Sequence, residues 1–92
     1  MIRIMRHMDQ LQSFRAEIDK IDRKLVGVLV ERMSVVEEIK KYKKNTGEDA
    51  RDDRRAKEIL ETRVTMGGKL SSYFMRDIFA LIIKHSEELQ RK

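Results

Sequence analysis

Cysteine, proline and tryptophan are absent, glycine occurs four times, and aromatic residues make up 5% of the chain. Without cysteine there is no disulfide scaffold and no thiolate zinc site. Without proline, and with so little glycine, long stretches can stay helical, and abundant Glu, Lys, Arg, Leu and Ile favour that outcome. No apolar run approaches the roughly 20 residues of a membrane span. The opening MIRIMRHMDQ has basic residues but no continuous apolar core, so it does not read as a secretory signal. The cytoplasm is the expected compartment. There is no glycine-rich phosphate loop, and 92 residues are too few for a doubly wound nucleotide-binding fold. Two histidines far apart, His7 and His85, do not suggest a metal site.

Charge is plentiful and mixed. Lys and Arg number 21 against 16 Asp and Glu, a formal net charge of +5. Basic and acidic residues are interspersed, so no long single-sign stripe exists. A nucleic-acid-binding helical module would use such an excess, but the basic faces carry no aromatic stacking groups. The other use is cations aimed at a small anionic ligand. Neither nucleic acid nor membrane is the expected partner.

The strongest pattern is a seam of Leu11, Phe14, Ile18, Ile21, Leu25, Val28, Arg32, Val35, Ile39 and Tyr42, at alternating spacings of three and four. It predicts one long helix. Leu11 to Lys44 would span roughly 50 Å at the α-helical rise. Asn45-Thr46-Gly47 supplies a stop. A second helix is expected from near Asp49–Asp52, with Ala56, Ile59, Leu60 and Val64 on its apolar side, ending at Gly67-Gly68. Ser71 or Ser72 caps a third. Its buried face is expected to be Phe74, Ile78, Leu81, Ile82 and Leu89, with Phe79 and Ile83 alongside. Residues 1–8 read as a frayed extension and 9–92 as one helical domain. Two short helices cannot cover so long a seam, and a core this small rarely stabilises a lone chain. The expectation is an all-α fold: three helices per chain, one long and N-terminal, in an intertwined homodimer.

Some residues break the pattern. Arg32 occupies an apolar position on the seam, where a guanidinium needs a partner. It is either a structural arginine on a core carboxylate, a register-setting polar residue, or part of an anion site. Lys43 follows eleven residues on, about three turns, on the same side of the helix. Arg15 flanks the seam beside Phe14. Asp52 and Arg55 suit an (i, i+3) ion pair. Ser86 and Gln90 continue the column of Phe79 and Ile83, so their polar ends are expected to point inward and to need partners. No nucleophile–base set or paired-carboxylate site stands out. Arginines, a lysine and neutral donors between helices fit a small dicarboxylate.

In order and spacing these pieces resemble the all-helical class of chorismate mutases over about Leu11–Gln90. The matching elements are F-R-x-x-I-D-x-I-D around Arg15, L-V-x-x-x-x-V-V-x-x-I-K-x-x-K from Leu29 to Lys43 with Glu31-Arg32 inside it, D-x-x-R at Asp52–Arg55, and I-I-x-x-S-x-x-x-Q from Ile82 to Gln90. The resemblance implies an intertwined dimer and a cofactor-free, metal-free rearrangement of chorismate to prephenate. It implies that Arg15 reaches a substrate carboxylate across the dimer and that Arg32 binds one within its own subunit. Lys43 would donate to the ether oxygen and a carboxylate, and Gln90 to the same ether oxygen. Asp52 would meet the ring hydroxyl region, with Arg55 and Ser86 helping to hold the hydroxyl and carboxylate. One position departs: the family usually has Glu directly after the arginine of D-x-x-R, and here it is Ala56. The alternative expectation is therefore a mutase or lyase acting on a chorismate relative, 4-amino-4-deoxychorismate or isochorismate.

Overall fold

The computed structural model describes the backbone of residues 2–92 and the side chains of 9–92. Three α-helices follow one another: α1 at Ile2–Thr46, α2 at Asp53–Val64 and α3 at Ser72–Arg91, with a 3₁₀ turn at Thr65–Gly67. No strand occurs among the described residues. The all-α, three-helix expectation holds. The expected frayed extension, residues 1–8, lies outside the residues whose side chains are described.

The helix ends follow from local chemistry. Gly47 adopts a positive φ of 76° just past α1. That lets the Glu48 amide donate back to the Lys43 carbonyl at 3.1 Å, the closing bond of a Schellman turn. Asp52 caps α2, its carboxylate accepting from the Arg55 backbone amide at 3.0 Å. Ser71 caps α3, accepting from the Phe74 amide at 3.4 Å. Between α2 and α3, Gly67 sits under Met75. A Cβ there would fall 2.7 Å from Met75 Cγ, so only glycine lets the turn pack this closely.

The chain divides into two compact units, residues 1–32 and 33–92. The first unit is a single helical stretch of α1. Its seam residues Leu11, Phe14, Ile18, Ile21, Leu25 and Val28 are all exposed, Ile21 at 61%. A lone helix has no tertiary face to bury, so this apolar stripe meets water in the single chain.

The second unit has a small core. Val36 and Ile59 are its buried apolar side chains, at 5% and 6% exposure, and Ser86 is buried at 7%. Half-buried Met33, Leu60, Val64, Met75, Ile78, Phe79, Ile82, Ile83 and Leu89 surround them. The expected apolar side of α2 is confirmed, with Ala56 half-buried beside it. Two expectations are corrected. On α1 the inward stripe of this unit is Met33, Val36, Lys40 and Lys43, while the seam positions Val35, Ile39 and Tyr42 are exposed. One residue is about 100° around a helix, so the two stripes lie on different faces. On α3, Phe74 and Leu81 are exposed, not buried. Two buried apolar side chains, neither of them fully shielded, give little hydrophobic stabilisation for a unit of this size.

Candidate functional site

Within the second unit, the C-terminal end of α1 and that of α3 border a pocket of about 350 Å³. That volume suits a small molecule. Lys40, Lys43 and Lys44 line it from α1, Glu48 and Ala50 from the following loop, and Gln90, Arg91 and Lys92 from the end of α3. Five basic side chains therefore face one carboxylate side chain. The field of such a pocket favours an anionic guest.

Two sequence-predicted residues meet here, Lys43 and Gln90. Half-buried Lys43 donates from Nζ to the Ala50 carbonyl at 3.3 Å. This bond ties the ammonium to the loop that follows the Gly47 turn. Gln90 enters from the last turn of α3. Its Oε1 is buried and has no hydrogen-bond partner. An orphaned buried amide oxygen is uncommon. Turning the amide over exchanges the oxygen for the NH₂ group, so Gln90 can offer a guest an acceptor or a donor. Lys43 and Gln90 together can hold one oxygen atom between two donors.

The other predicted residues of this unit sit elsewhere. Ser86 is buried as expected, but its hydroxyl donates to the Ile82 carbonyl of its own helix at 2.7 Å, with Met33 Sδ at 3.8 Å. It does not line the pocket. Asp52 and Arg55 are exposed and do not form the expected ion pair with each other. Asp52 is occupied as the cap of α2, while the Arg55 guanidinium pairs with Glu58 at 2.6 Å. A capping carboxylate gains two things at once: an orphan amide and the positive helix end. Asp52→Ala is accordingly expected to cost ~1 kcal/mol of stability, and Asp52→Ser much less. Thermal melts followed by circular dichroism check this; equal melting of the two variants would refute the capping role.

Arg15 and Arg32 belong to the first unit. Arg15 is exposed and Arg32 half-buried on its helix. Among the described residues, no three His, Asp or Glu side chains converge in a way that could hold a metal ion. Arg51 has its pKa raised by the hydrogen bond to Asp53, at 2.6 Å, and by that residue's charge. A guanidinium is protonated at any physiological pH, so this changes no charge in the site.

The pocket also contains residues that the apolar seam does not single out: Lys40, Lys44, Glu48, Ala50, Arg91 and Lys92. Of these only Lys40 has a signal in the sequence: it lies with Val36 and Lys43 on a second stripe of α1, one residue out of register with the seam.

Comparison with known proteins gives the site a context. The family described as chorismate mutase type II matches residues 14–91. The chain is 36% identical over 86 residues to the bifunctional chorismate mutase/prephenate dehydratase of Buchnera aphidicola subsp. Acyrthosiphon pisum, covering 91% of this chain and 22% of that protein. The equivalent protein of Buchnera aphidicola subsp. Schizaphis graminum is 35% identical over the same extent. That of Escherichia coli K12 is 32% identical over 78 residues, covering 83% of this chain and 20% of that protein. The chain thus spans only about a fifth of the length of these relatives. A match that runs from Phe14 to Arg91, most of the chain, shows the family: the chain belongs to the chorismate mutase type II family.

Proposed function

We propose that this chain rearranges chorismate to prephenate, and that it does so as a homodimer in the cytoplasm. The observation that carries the reading is the pocket in which Lys43 and the unpartnered amide of Gln90 stand together among cations. The reaction is a one-step shift: a C–O bond breaks as a C–C bond forms, within one molecule. It calls for no nucleophile and no proton transfer. It calls for restraint of a flexible dianion in a compact conformer. It also calls for donors aimed at the ether oxygen, which gains negative charge as its bond stretches.

The roles divide accordingly. Lys43 and Gln90 would donate to the ether oxygen, and Lys43 also to a carboxylate. Arg32 and, from the partner protomer, Arg15 would clamp the two carboxylates by bidentate hydrogen bonds. Asp52, Arg55 and Ser86 would serve the hydroxyl side of the ring. What supports the dimer is the uncovered seam from Leu11 to Val28, which a second copy of the same helix would bury. A charge-assisted clamp mainly binds; a donor whose bond strengthens as the ether opens accelerates.

Ala56 supports a second reading. It packs half-buried on α2, where the family usually carries a glutamate toward the ring hydroxyl. A substrate differing at that ring position, isochorismate or 4-amino-4-deoxychorismate, would then be preferred. The test is to add purified chain to each of the three compounds and follow loss of the enolpyruvyl absorbance. Decay of chorismate well above the buffer rate, and faster than that of the others, is expected. Folded dimer with no effect on chorismate would overturn the mutase reading.

A further inference from the structure

Lys40 is distinct among the five basic residues of the pocket. Lys43 is bonded to the Ala50 carbonyl. Arg91 approaches Glu87 at 4.0 Å, and Lys44 and Lys92 are exposed to water. Lys40 is half-buried on the inward stripe of α1, lines the pocket, and its ammonium has neither a hydrogen-bond acceptor nor an ion-pair partner among the described residues. Its stem packs on the inward stripe while its charge, at the wall of the pocket, has no anion to answer it until a carboxylate enters.

Resting on the mutase reading of the same pocket, we infer that Lys40 is a further substrate-binding residue, which contacts a carboxylate of the bound dianion. It stands three residues before Lys43, so the two ammonium groups lie one turn apart on one helix face. Two neighbouring cations can grip one carboxylate and the ether region together, and the geometry divides their work. Lys43, tied to the loop and facing Gln90, addresses the oxygen whose charge changes. Lys40, a turn earlier, addresses charge that is already present before reaction. Its contribution is therefore equal in ground and transition states, and appears in KM and not in kcat.

The experiment compares the wild-type chain with Lys40→Met, which keeps the apolar stem, and with Lys40→Arg, which keeps the charge. Steady-state chorismate kinetics are measured beside calorimetric binding of prephenate, a readout that needs no turnover. The expected result is a KM and a prephenate Kd about tenfold higher for Lys40→Met, with kcat changed less than threefold, and most of the loss restored in Lys40→Arg. Circular dichroism and sedimentation establish that each variant is folded and in the wild-type oligomeric state. Should Lys40→Met not fold, Lys40→Gln takes its place with the same expected result. A KM and Kd within twofold of wild type in the uncharged variant would overturn the role of Lys40 while leaving the mutase reading intact. A wild-type chain that neither turns over chorismate nor binds prephenate would overturn the mutase reading itself.

Discussion

Replacing Lys43 by methionine is expected to lower kcat for chorismate by roughly 10²- to 10³-fold, the loss typical of one donor that acts on developing charge. The reason lies in what Lys43 already does. Its ammonium is held by the Ala50 carbonyl, so it stands in place before a guest arrives. A preorganised charge needs no reorientation as the ether bond stretches, which is where the advantage over water arises. Methionine keeps the stem and its packing on the inward stripe of α1, and removes only the donor. The fold is therefore expected to survive, as circular dichroism would establish, and the loss should fall on kcat more than on KM. A variant that keeps kcat within threefold would show that Lys43 does not serve the reacting oxygen. The contrast with Lys40→Met makes the pair informative: one substitution is read in kcat, the other in KM.

The second large effect concerns assembly. Ile21→Asp is expected to turn the proposed dimer into monomers and to remove much of the helical signal with it. In the single chain Ile21 is 61% exposed, and the whole first unit offers it no tertiary neighbour. Most helical stability in proteins comes from packing an amphipathic face and not from propensity, so a helix stretch without tertiary neighbours depends on whatever covers its seam. Burying a Leu, Ile, Val or Phe side chain contributes about 1.5–3 kcal/mol each, and six such residues line this unit's seam. A carboxylate in the middle of that contact would be desolvated without a partner, at a cost of several kcal/mol. Sedimentation velocity and far-ultraviolet circular dichroism read both consequences. A wild-type chain that is monomeric and fully helical would exclude the dimer, and an Ile21→Asp chain that still pairs would exclude this seam as its interface. Because Arg15 is proposed to serve the partner's site, turnover should fall in step with the dimer.

Much of the helical plan can be read directly from the residues. The stop at Gly47, the cap at Asp52 and the choice between Ser71 and Ser72 depend on neighbours in the chain, and local chemistry determines them. Burial is less legible, because it depends on what lies opposite. Periodicity finds a stripe on α1, yet Val35, Ile39 and Tyr42 are exposed while Val36, one position on, is the buried residue. A charged residue on the inward stripe, such as Lys40, interrupts the hydrophobic signal that would have marked that face. Phe74 and Leu81 fail for a related reason: an apolar side chain on a predicted helix does not reveal whether its cover belongs to the same chain. Asp52 and Arg55 show a third limit. Their spacing allows an ion pair, but a side chain beside a helix start has a competing backbone donor, and the cap wins. Lys43 and Gln90 could be paired because each is a polar residue at a helical register position, and both line the same pocket.

The Schellman turn at Gly47 has a consequence beyond ending a helix. The carbonyl of Lys43 receives the bond that closes the turn, and the ammonium of the same residue donates to Ala50 three residues past that glycine. The polypeptide is thus stapled twice around one amino acid, once by its main chain and once by its side chain. A connector that looks like the natural place to splice in a tag or a probe is, in this protein, what holds the Lys43 ammonium in place. Residues 45–52 are correspondingly the wrong site for an insertion.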